Sequence, residues 1–334
     1  MNFASKFANQ PTSPAEALSG PRIAVILPAY NEELTIARTI ADFNDVIPDA
    51  AIWVINNRSS DRTEEIARES LAACRNGGGV IYEGRPGKGN AVRRAFHDVD
   101  ADIYILADAD LTYPAHHVPD LIAPVVRGEA DMVVGDRHSE GHYASENKRA
   151  FHGFGNNLVK YLVNKLFRSR LADIMSGYRV FNRKFVKTYP ILVDGFEIET
   201  DMTLHALDKR FRICEIPVNY RDRPEGSASK LNTISDGLRV LSTICNIMRH
   251  YRPLTFFGLT AVVAGLVGLV AAIPVFDDWF TSRYIYHVPL AIFATGMEIA
   301  AMLMASVGLI LDSLAHQDKR NFEREILAMT NARK

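Results

Sequence analysis

Residues 102–110 read Asp-Ile-Tyr-Ile-Leu-Ala-Asp-Ala-Asp, a short apolar run that ends in two aspartates. An apolar run of this length predicts a strand that is buried on both faces. Along an extended segment residues i and i+2 point to the same side, so Asp108 and Asp110 can face one ion. Mg²⁺ and Mn²⁺ prefer carboxylate oxygens and often take only one or two from the protein. The stretch therefore predicts a divalent metal site at Asp108 and Asp110.

Strands and helices alternate on both sides of this stretch. Further strands are predicted at residues 22–27, 51–55, 80–82 and 132–134, with helices at 32–44, 61–73 and 90–97. This alternation predicts an α/β fold with a mostly parallel, doubly wound sheet. Ligands of such sheets bind beyond the carboxyl ends of the strands.

Four polar loops follow the first four strands of this pattern. They span residues 28–32, 56–61, 84–90 and 108–110. Together they indicate a nucleotide site, with a metal ion that neutralises the diphosphate. Lys88 lies between two glycines, where backbone amides approach phosphate or ribose, or it is a solvated loop lysine. Asp61 either contacts the nucleotide or caps the helix that follows.

The C-terminal third contains two long apolar runs, at 254–276 and 288–311, and the second carries only Glu298. A run of about 20 apolar residues is long enough to cross a bilayer, so we predict a transmembrane hairpin. The alternative is a pair of buried helices in a soluble core. A carboxylate facing lipid is costly, so Glu298 is expected at a helix or subunit contact, with a grip on a lipid as the weaker alternative. Basic residues flank the hairpin on its outer sides, which places both termini in the cytoplasm, at the inner membrane of the cell.

The predicted organisation has five parts. A flexible segment at 1–20 without a signal peptide precedes a catalytic domain at 21–230. An amphipathic juxtamembrane helix follows at 231–252, with an ordinary domain helix as the alternative. The transmembrane helices occupy 253–313 and a cytoplasmic tail 314–334.

Composition excludes some classes of function. The net charge of −1 gives no basic field for nucleic acid. The three cysteines are far apart and follow no metal-site spacing, which favours buried free thiols over a catalytic thiol.

Several motifs along residues 22–250 resemble family 2 glycosyltransferases of the GT-A fold, in the branch that transfers sugars to polyprenyl phosphates. They are Leu-Pro-Ala-Tyr-Asn-Glu-Glu at 27–33, Ser-Asp-Arg-Thr at 60–63, Gly-Lys-Gly-Asn-Ala at 87–91, Ala-Asp-Ala-Asp at 107–110, Ser-Gly-Tyr-Arg at 176–179, the stretch 196–201, and Arg-Pro-Glu-Gly-Ser-Ala-Ser-Lys-Leu at 223–231.

The resemblance implies inverting sugar transfer with Mg²⁺ or Mn²⁺ at the Asp-x-Asp motif and nucleotide contacts from the first three loops. The expected nucleotide-binding residues are Pro28, Ala29, Tyr30, Glu32, Asn56, Asn57, Ser59, Asp61, Lys88, Asp108 and Ala109. The family usually has two acidic residues where Asn56 and Asn57 stand. An amide can still pair with uracil or guanine, so the nucleobase stays open.

The expected catalytic residues are Asp110, Asp173, Asp201, Arg137, Arg223 and Lys230. Glu197 and Glu199 are further candidates for a base, and Arg137 is a candidate phosphate ligand. A phosphate monoester is largely dianionic at neutral pH, so a lipid phosphate acceptor would need a cationic clamp more than a base. Arg223 and Lys230 are the preferred clamp, with Arg149 and Arg179 as further candidates.

We expect a glycosyltransferase that moves one hexose or N-acetylhexosamine from a nucleotide-diphosphate sugar, UDP favoured over GDP, to a polyprenyl phosphate at the membrane. Homo-oligomers are possible. One alternative is a processive or otherwise directed family 2 enzyme, but the Gln-x-x-Arg-Trp motif of processive synthases is missing around Trp53 and Trp279. The other alternative is an inactive membrane scaffold.

Overall fold

The computed structural model describes residues 20–138, 150–195, 197–221 and 245–331, without the side chains of 150–156 and 330–331. The chain divides into two compact units, the first at 1–231 with 328–334 and the second at 232–327. Residues 1–19 of the expected flexible segment at 1–20, and residues 231–244 of the expected juxtamembrane helix at 231–252, lie outside the described residues.

The first unit is built on a seven-stranded sheet with the strand order β3-β2-β1-β4-β6-β5-β7. β1, β2, β3 and β4 are parallel, as are β5 and β7, whereas β6 is antiparallel to β4 and β5. The strands are β1 (Ile23–Ala29), β2 (Ala51–Asn56), β3 (Gly78–Tyr82), β4 (Ile103–Leu106), β5 (Met132–Asp136), β6 (Arg179–Asn182) and β7 (Ile213–Pro217). The predicted mostly parallel sheet is confirmed.

Seven helices are described in the first unit: α1 (Ile36–Val46), α2 (Thr63–Ala72), α3 (Lys88–Asp98), α4 (Val118–Val126), α5 (Ala150–Phe167), α6 (Arg183–Thr188) and α7 (Ile198–Asp208). α1 buries Ile36, Ile40 and Phe43 at helical spacing, which places its apolar stripe in the core. β4 lies between β1 and β6, and all four of its residues are buried. The Asp-x-Asp loop therefore leaves the sheet near its centre.

β6 and β7 were not predicted from the sequence. β6 has only four residues, too few for a periodic pattern, and it begins at a buried arginine, Arg179. β6 runs antiparallel to both of its neighbours, β4 and β5. The sheet is thus parallel on the side of the nucleotide loops and mixed beyond β4.

The second unit contains two long helices, α8 (Pro253–Ser282) and α9 (Val288–Asn331). The described residues just before α8, 245–251, are also helical. Both are long and apolar enough to cross a membrane, and only 6% and 11% of the residues in their most apolar stretches are buried. That exposure does not fit the alternative of two core helices in a soluble fold, because such helices are mostly buried.

The two helices differ from the predicted boundaries. α8 includes Asp277 and Asp278, so the connection shrinks from the predicted 277–287 to 283–287. Arg283 stops α8 in a left-handed conformation. α9 continues through the predicted tail as far as Asn331, because residues 312–331 contain neither Gly nor Pro to interrupt the backbone hydrogen bonds.

α8 and α9 pack through small residues. A side chain at Gly268 would stand 2.8 Å from Glu298 Oε1 and 3.1 Å from the Ala294 carbonyl oxygen. Gly308 approaches Phe257 and Leu254 in the same way on the opposite helix. Glu298 therefore lies at a helix–helix contact, as predicted, beside a glycine that leaves room for its carboxyl group.

Candidate functional site

The loops after β1 and β2 are joined by hydrogen bonds. Asn31, which has a φ of 55°, donates its backbone N–H to Ser59 Oγ at 3.0 Å. Ser60 N–H donates to Asn31 Oδ1 at 2.8 Å. Ala29 and Asn56 are partners in the parallel register, so these loops leave the same edge of the sheet. Tyr30, in the first of these loops, is 53% exposed. An exposed aromatic ring of this kind could stack on a ligand.

Asp61 organises the start of α2. Its Oδ1 accepts hydrogen bonds from Thr63 N–H at 3.0 Å and from Thr63 Oγ1 at 2.5 Å. Its Oδ2 accepts from Glu33 N–H at 3.2 Å, and Glu32 N–H donates to Thr63 Oγ1 at 2.8 Å. The capping interpretation of Asp61 is therefore the one that its contacts fit, and the same contacts fasten the first loop to the second.

Asn56 and Asn57 use their amides within the protein. Asn56 Nδ2 donates to Glu64 Oε2 at 2.6 Å, and its Oδ1 accepts from Ser59 N–H at 3.0 Å. Asn57 Nδ2 donates to the Arg85 carbonyl oxygen at 2.6 Å, and its Oδ1 accepts from Gly87 N–H at 2.8 Å. Both side chains are buried. In this structure they hold the loops in place, and the Glu64 contact was not foreseen from the sequence.

Lys88 is not a solvated loop lysine. Its Nζ lies 2.5 Å from Asp108 Oδ1 and 2.5 Å from Glu199 Oε1, and its side chain is 9% exposed. Burial alone would lower the pKa of the Lys88 ammonium, but the two carboxylates raise it above its ordinary value. The structure thus joins the third loop, the Asp-x-Asp motif and α7 in one charged cluster.

The space beside the glycines of the third loop is filled by another backbone segment rather than left open for a phosphate. Gly89 N–H donates to the Asp194 carbonyl oxygen at 2.9 Å. A Cβ at Gly87 would overlap Asp194 and one at Gly89 would overlap Val193. Gly87 also has a φ of 117°, a conformation that glycine adopts readily. This packing fixes the position from which Lys88 reaches its carboxylates.

The Asp-x-Asp motif lies beyond the end of its strand. β4 ends at Leu106 and Leu111 has a φ of 65°, so residues 108–110 form a bend and not the extended segment that we assumed. Asp110 is 2% exposed, and its Oδ1 accepts from Thr112 N–H at 3.1 Å and Thr112 Oγ1 at 2.6 Å. The side chain of Asp108 is 26% exposed. Asp108 is therefore the more accessible of the two carboxylates.

The donor set fits an ion held mainly by its substrate. The part of the chain that the structure describes contains no group of three or more His, Cys, Asp and Glu side chains able to hold a metal. Oδ1 of Asp108 accepts a hydrogen bond from Lys88 Nζ, and no described residue donates a hydrogen bond to its Oδ2. One accessible carboxylate oxygen suits Mg²⁺ or Mn²⁺ when phosphates and water complete the coordination.

Arg137 and Asp173 form a buried pair with two hydrogen bonds. Arg137 Nε donates to Asp173 Oδ2 at 2.7 Å and Nη2 to Oδ1 at 3.0 Å, and the side chains are 11% and 1% exposed. The guanidinium also lies over the Tyr220 ring, 5.5 Å from its centroid. Burial raises the pKa of the Asp173 carboxyl, but the pairing with Arg137 lowers it more, to below its ordinary value. Asp173 is poorly suited to accept a proton and well suited to orient Arg137.

Two other candidates have different surroundings. Burial raises the pKa of Asp201, against the hydrogen bond that its Oδ2 accepts from the Tyr189 hydroxyl at 2.6 Å. Arg179 is fully buried and donates to the carbonyl oxygens of Ser176, at 2.8 Å, and Ile174, at 2.9 Å. Arg179 therefore braces the loop before β6, and its inclusion as a clamp candidate was wrong because its guanidinium is enclosed.

The preferred clamp residues, Arg223 and Lys230, lie outside the described residues, as do Arg149 and Phe196. The chain before them is held close to the Asp-x-Asp bend. Asn219 N–H donates to His117 Nε2, and Arg221 N–H donates to the Thr112 carbonyl oxygen, both at 3.0 Å. Arg221, the last described residue before them, therefore lies beside the motif.

Comparisons with known proteins show which family this chain resembles. The family model described as Glycosyl transferase family 2 matches residues 24–189. Glycosyltransferase AglJ of Haloferax volcanii is 28% identical over 303 residues, 90% of this chain and 96% of the relative. The dolichyl-phosphate hexose transferase of the same organism is 26% identical and covers 69% of this chain and 95% of the relative.

A similar fold occurs in a solved structure, glucosyl-3-phosphoglycerate synthase from Mycobacterium tuberculosis in complex with Mn²⁺, UDP-glucose and phosphoglyceric acid. It has a TM-score of 0.52 and 24% identity and covers 69% of this chain and 79% of that one. The likeness shows the GT-A type of sheet. The family match and the relatives together establish that this chain is an enzyme of glycosyltransferase family 2.

Proposed function

We propose that the enzyme transfers a single hexose or N-acetylhexosamine from a nucleotide-diphosphate sugar to a polyprenyl phosphate, with inversion at the anomeric carbon. The observation that carries this proposal is the position of Asp108. It is a partly exposed carboxylate at the end of a central strand, beside the hydrogen-bonded loops after β1 and β2. Ligands of such sheets bind at that edge.

Asp108, with Asp110 behind it, would hold Mg²⁺ or Mn²⁺ against the diphosphate. The ion supplies charge neutralisation for the leaving group. Asp110 would fix the bend through Thr112, and Thr39 Oγ1 donates to the Ala109 carbonyl oxygen at 3.1 Å on its other side. The structural neighbour holds Mn²⁺ with UDP-glucose, which supports a divalent ion and a UDP-sugar over a GDP-sugar.

The acceptor is proposed to be a lipid monophosphate. One relative is a dolichyl-phosphate hexose transferase, and the two long apolar helices supply a membrane anchor in the same chain. Because the phosphate arrives largely dianionic, no strong base is needed. Arg137, oriented by Asp173, together with Arg223 and Lys230 would hold the anionic acceptor near the anionic donor.

The basic flanks of the hairpin support a location at the cytoplasmic face of the cell membrane, with both termini on that side. In this organisation residues 21–230 form the catalytic domain, 231–252 the juxtamembrane helix and 253–313 the span. Protease cleavage in the connection at 283–287 from the cytoplasmic side would contradict the topology.

A donor screen tests the proposal. Purified enzyme in detergent receives each UDP- or GDP-sugar with Mn²⁺ and a short polyprenyl phosphate, and nucleotide release is measured. We expect release from one UDP-hexose or UDP-N-acetylhexosamine that depends on the lipid phosphate. The matched control is Asp108→Asn, which should be folded and inactive. Lipid-dependent release by that variant would remove the metal assignment, and no release from any donor would remove the proposal.

A further inference from the structure

One cation and two carboxylates are enclosed together behind the Asp-x-Asp bend. Lys88 Nζ lies 2.5 Å from a carboxylate oxygen of both Asp108 and Glu199, and the three side chains are 9%, 26% and 7% exposed. Gly177 leaves the space for this cluster, since a Cβ there would stand 3.1 Å from Lys88 Nζ and 3.2 Å from Asp108 Oδ2. The three charges come from three separate elements of the first unit.

The charge of Lys88 acts directly on the carboxylate that is expected to bind the metal. The two oxygens of a carboxylate share one negative charge, so an ammonium on Oδ1 weakens the attraction of Oδ2 for a second cation. A divalent ion at Asp108 would also be repelled by the ammonium, which water screens little at this depth.

We propose that Lys88 is an internal counter-ion that keeps the affinity of Asp108 for a divalent cation low until the nucleotide diphosphate is bound. Metal and donor nucleotide then bind with positive linkage. The diphosphate brings the negative charge that offsets the repulsion from Lys88, and its oxygens complete the coordination of the ion. This inference rests on the proposed function, because it takes the metal site at Asp108 as given.

Glu199 gives the proposal a second, opposite test. It shares the ammonium with Asp108, so part of the positive field of Lys88 is neutralised by a second carboxylate. Without that carboxylate, Lys88 would be paired with Asp108 alone and would repel a metal ion more strongly. Removing the charge of Lys88 should tighten metal binding, and removing the charge of Glu199 should weaken it. A role of the cluster in folding alone predicts the same sign for both.

The experiment measures Mn²⁺ binding by the full-length protein in detergent. Free Mn²⁺ is quantified by electron paramagnetic resonance, with and without saturating UDP, for the wild type, Lys88→Met, Lys88→Gln, Lys88→Arg and Glu199→Gln. We expect UDP to tighten Mn²⁺ binding by more than about tenfold in the wild type. Lys88→Met should bind Mn²⁺ about tenfold more tightly than the wild type without UDP, and its gain from UDP should shrink by the same factor.

The other variants separate charge from shape. Lys88→Gln removes the charge but keeps a donor for Asp108, and serves if Lys88→Met does not fold. Lys88→Arg keeps the charge and should bind Mn²⁺ as the wild type does. Glu199→Gln should bind it several-fold more weakly.

Two failures are distinguishable. If the wild type binds Mn²⁺ with UDP but the neutral Lys88 variants bind Mn²⁺ no more tightly than it does, the counter-ion role is wrong and the metal site stands. If the wild type binds no Mn²⁺ even with UDP, the metal site of the proposed function is wrong and the counter-ion role falls with it.

Discussion

The two halves of the sheet hold their polar side chains in different ways. At the ends of β1, β2 and β3 the links are mostly between amides, hydroxyls and backbone groups, as in the bonds of Asn31 and Asn57. From β4 onward the side chains form buried ion pairs instead: Asp173 pairs with Arg137, and Asp108 and Glu199 pair with Lys88, which reaches them from the start of α3. The contacts in the first half hold neighbouring loops together, whereas those in the second half keep charged side chains paired and buried.

This difference has energetic consequences. A neutral hydrogen bond contributes about 1 kcal/mol, and its loss is felt locally. A buried charge that loses its partner costs about 3–5 kcal/mol. The half with buried charges is therefore costly to disturb. The predictions below test this contrast in decreasing order of effect.

The largest effect is expected for Asp108→Asn. The amide keeps an oxygen to accept from Lys88 but loses the charge that holds a cation. We expect the rate of sugar transfer to fall by about 10³-fold or more, because charge stabilisation of the leaving group is lost. The melting temperature should stay within a few degrees of the wild type. Turnover within about tenfold of the wild type would mean that Asp108 is not the metal ligand.

Arg137→Met should have the largest effect on stability. It leaves Asp173 buried without its cation, and we expect a loss of about 3–5 kcal/mol in the free energy of unfolding, measured with denaturant in detergent. The double variant Arg137→Met with Asp173→Leu should recover most of this loss, since both charges are gone. An equal loss in the single and double variants would show that packing, rather than the unpaired charge, causes the effect.

Asn57→Ala tests the half with neutral links. The second and third loops lose the bonds to Arg85 and Gly87, and we expect a loss of about 1–3 kcal/mol in stability. Donor KM should rise several-fold with a smaller change in kcat, because the loops position the donor rather than take part in the reaction. Ser60→Ala is the control, because it removes only a 3.4 Å contact to Asn31. A fall in kcat alone would contradict this role.

The last two predictions concern the pH dependence of stability at two carboxylates with opposite pKa shifts. The pKa of Asp173 is lowered on folding, so its stabilising contribution is complete above its unfolded pKa of about 3.9 and is lost as the pH falls through the folded value. Asp173→Asn should flatten the decline in stability below about pH 4.

The pKa of Asp201 is raised, so its ionisation destabilises the fold as the pH rises through the folded value. Asp201→Asn should therefore be slightly more stable at pH 7, and the rate should change by less than about tenfold. Thermal melts across pH 3–8 and initial rates measure both variants. A loss of several orders of magnitude in rate would make Asp201 a base and contradict a deprotonated acceptor.

The sequence predicts the parallel half of the sheet more fully than the other half. Apolar runs such as 103–106 can be recognised as strands from their own residues alone. The loops that follow these strands lie next to one another because the carboxyl ends of parallel strands meet at the same edge of the sheet. β6 and the pair of Lys88 with Glu199 could not be predicted in this way. Glu199 is 111 residues from Lys88, and no local pattern connects them.

The same reasoning explains which individual residues were misjudged. Arg179 is charged and was expected at an open site, but it donates to backbone carbonyl oxygens inside the fold. Asp110 was expected to face one ion together with Asp108 because residues 108–110 were taken as extended, whereas the chain turns at Leu111 and Asp110 is buried; its role as a metal ligand stays a prediction. Each error comes from a tertiary contact or a turn that composition does not encode.

The most direct test of sugar transfer to a lipid phosphate compares two acceptors in one vesicle assay. Enzyme in vesicles receives the donor found by the screen, labelled in the sugar, with Mn²⁺ and either a polyprenyl phosphate or the matching polyprenol. We predict a labelled, β-linked phospho-sugar lipid from the phosphate, none from the alcohol, and none with Asp108→Asn. Equal labelling of the polyprenol, or transfer that persists in Asp108→Asn, would contradict the account.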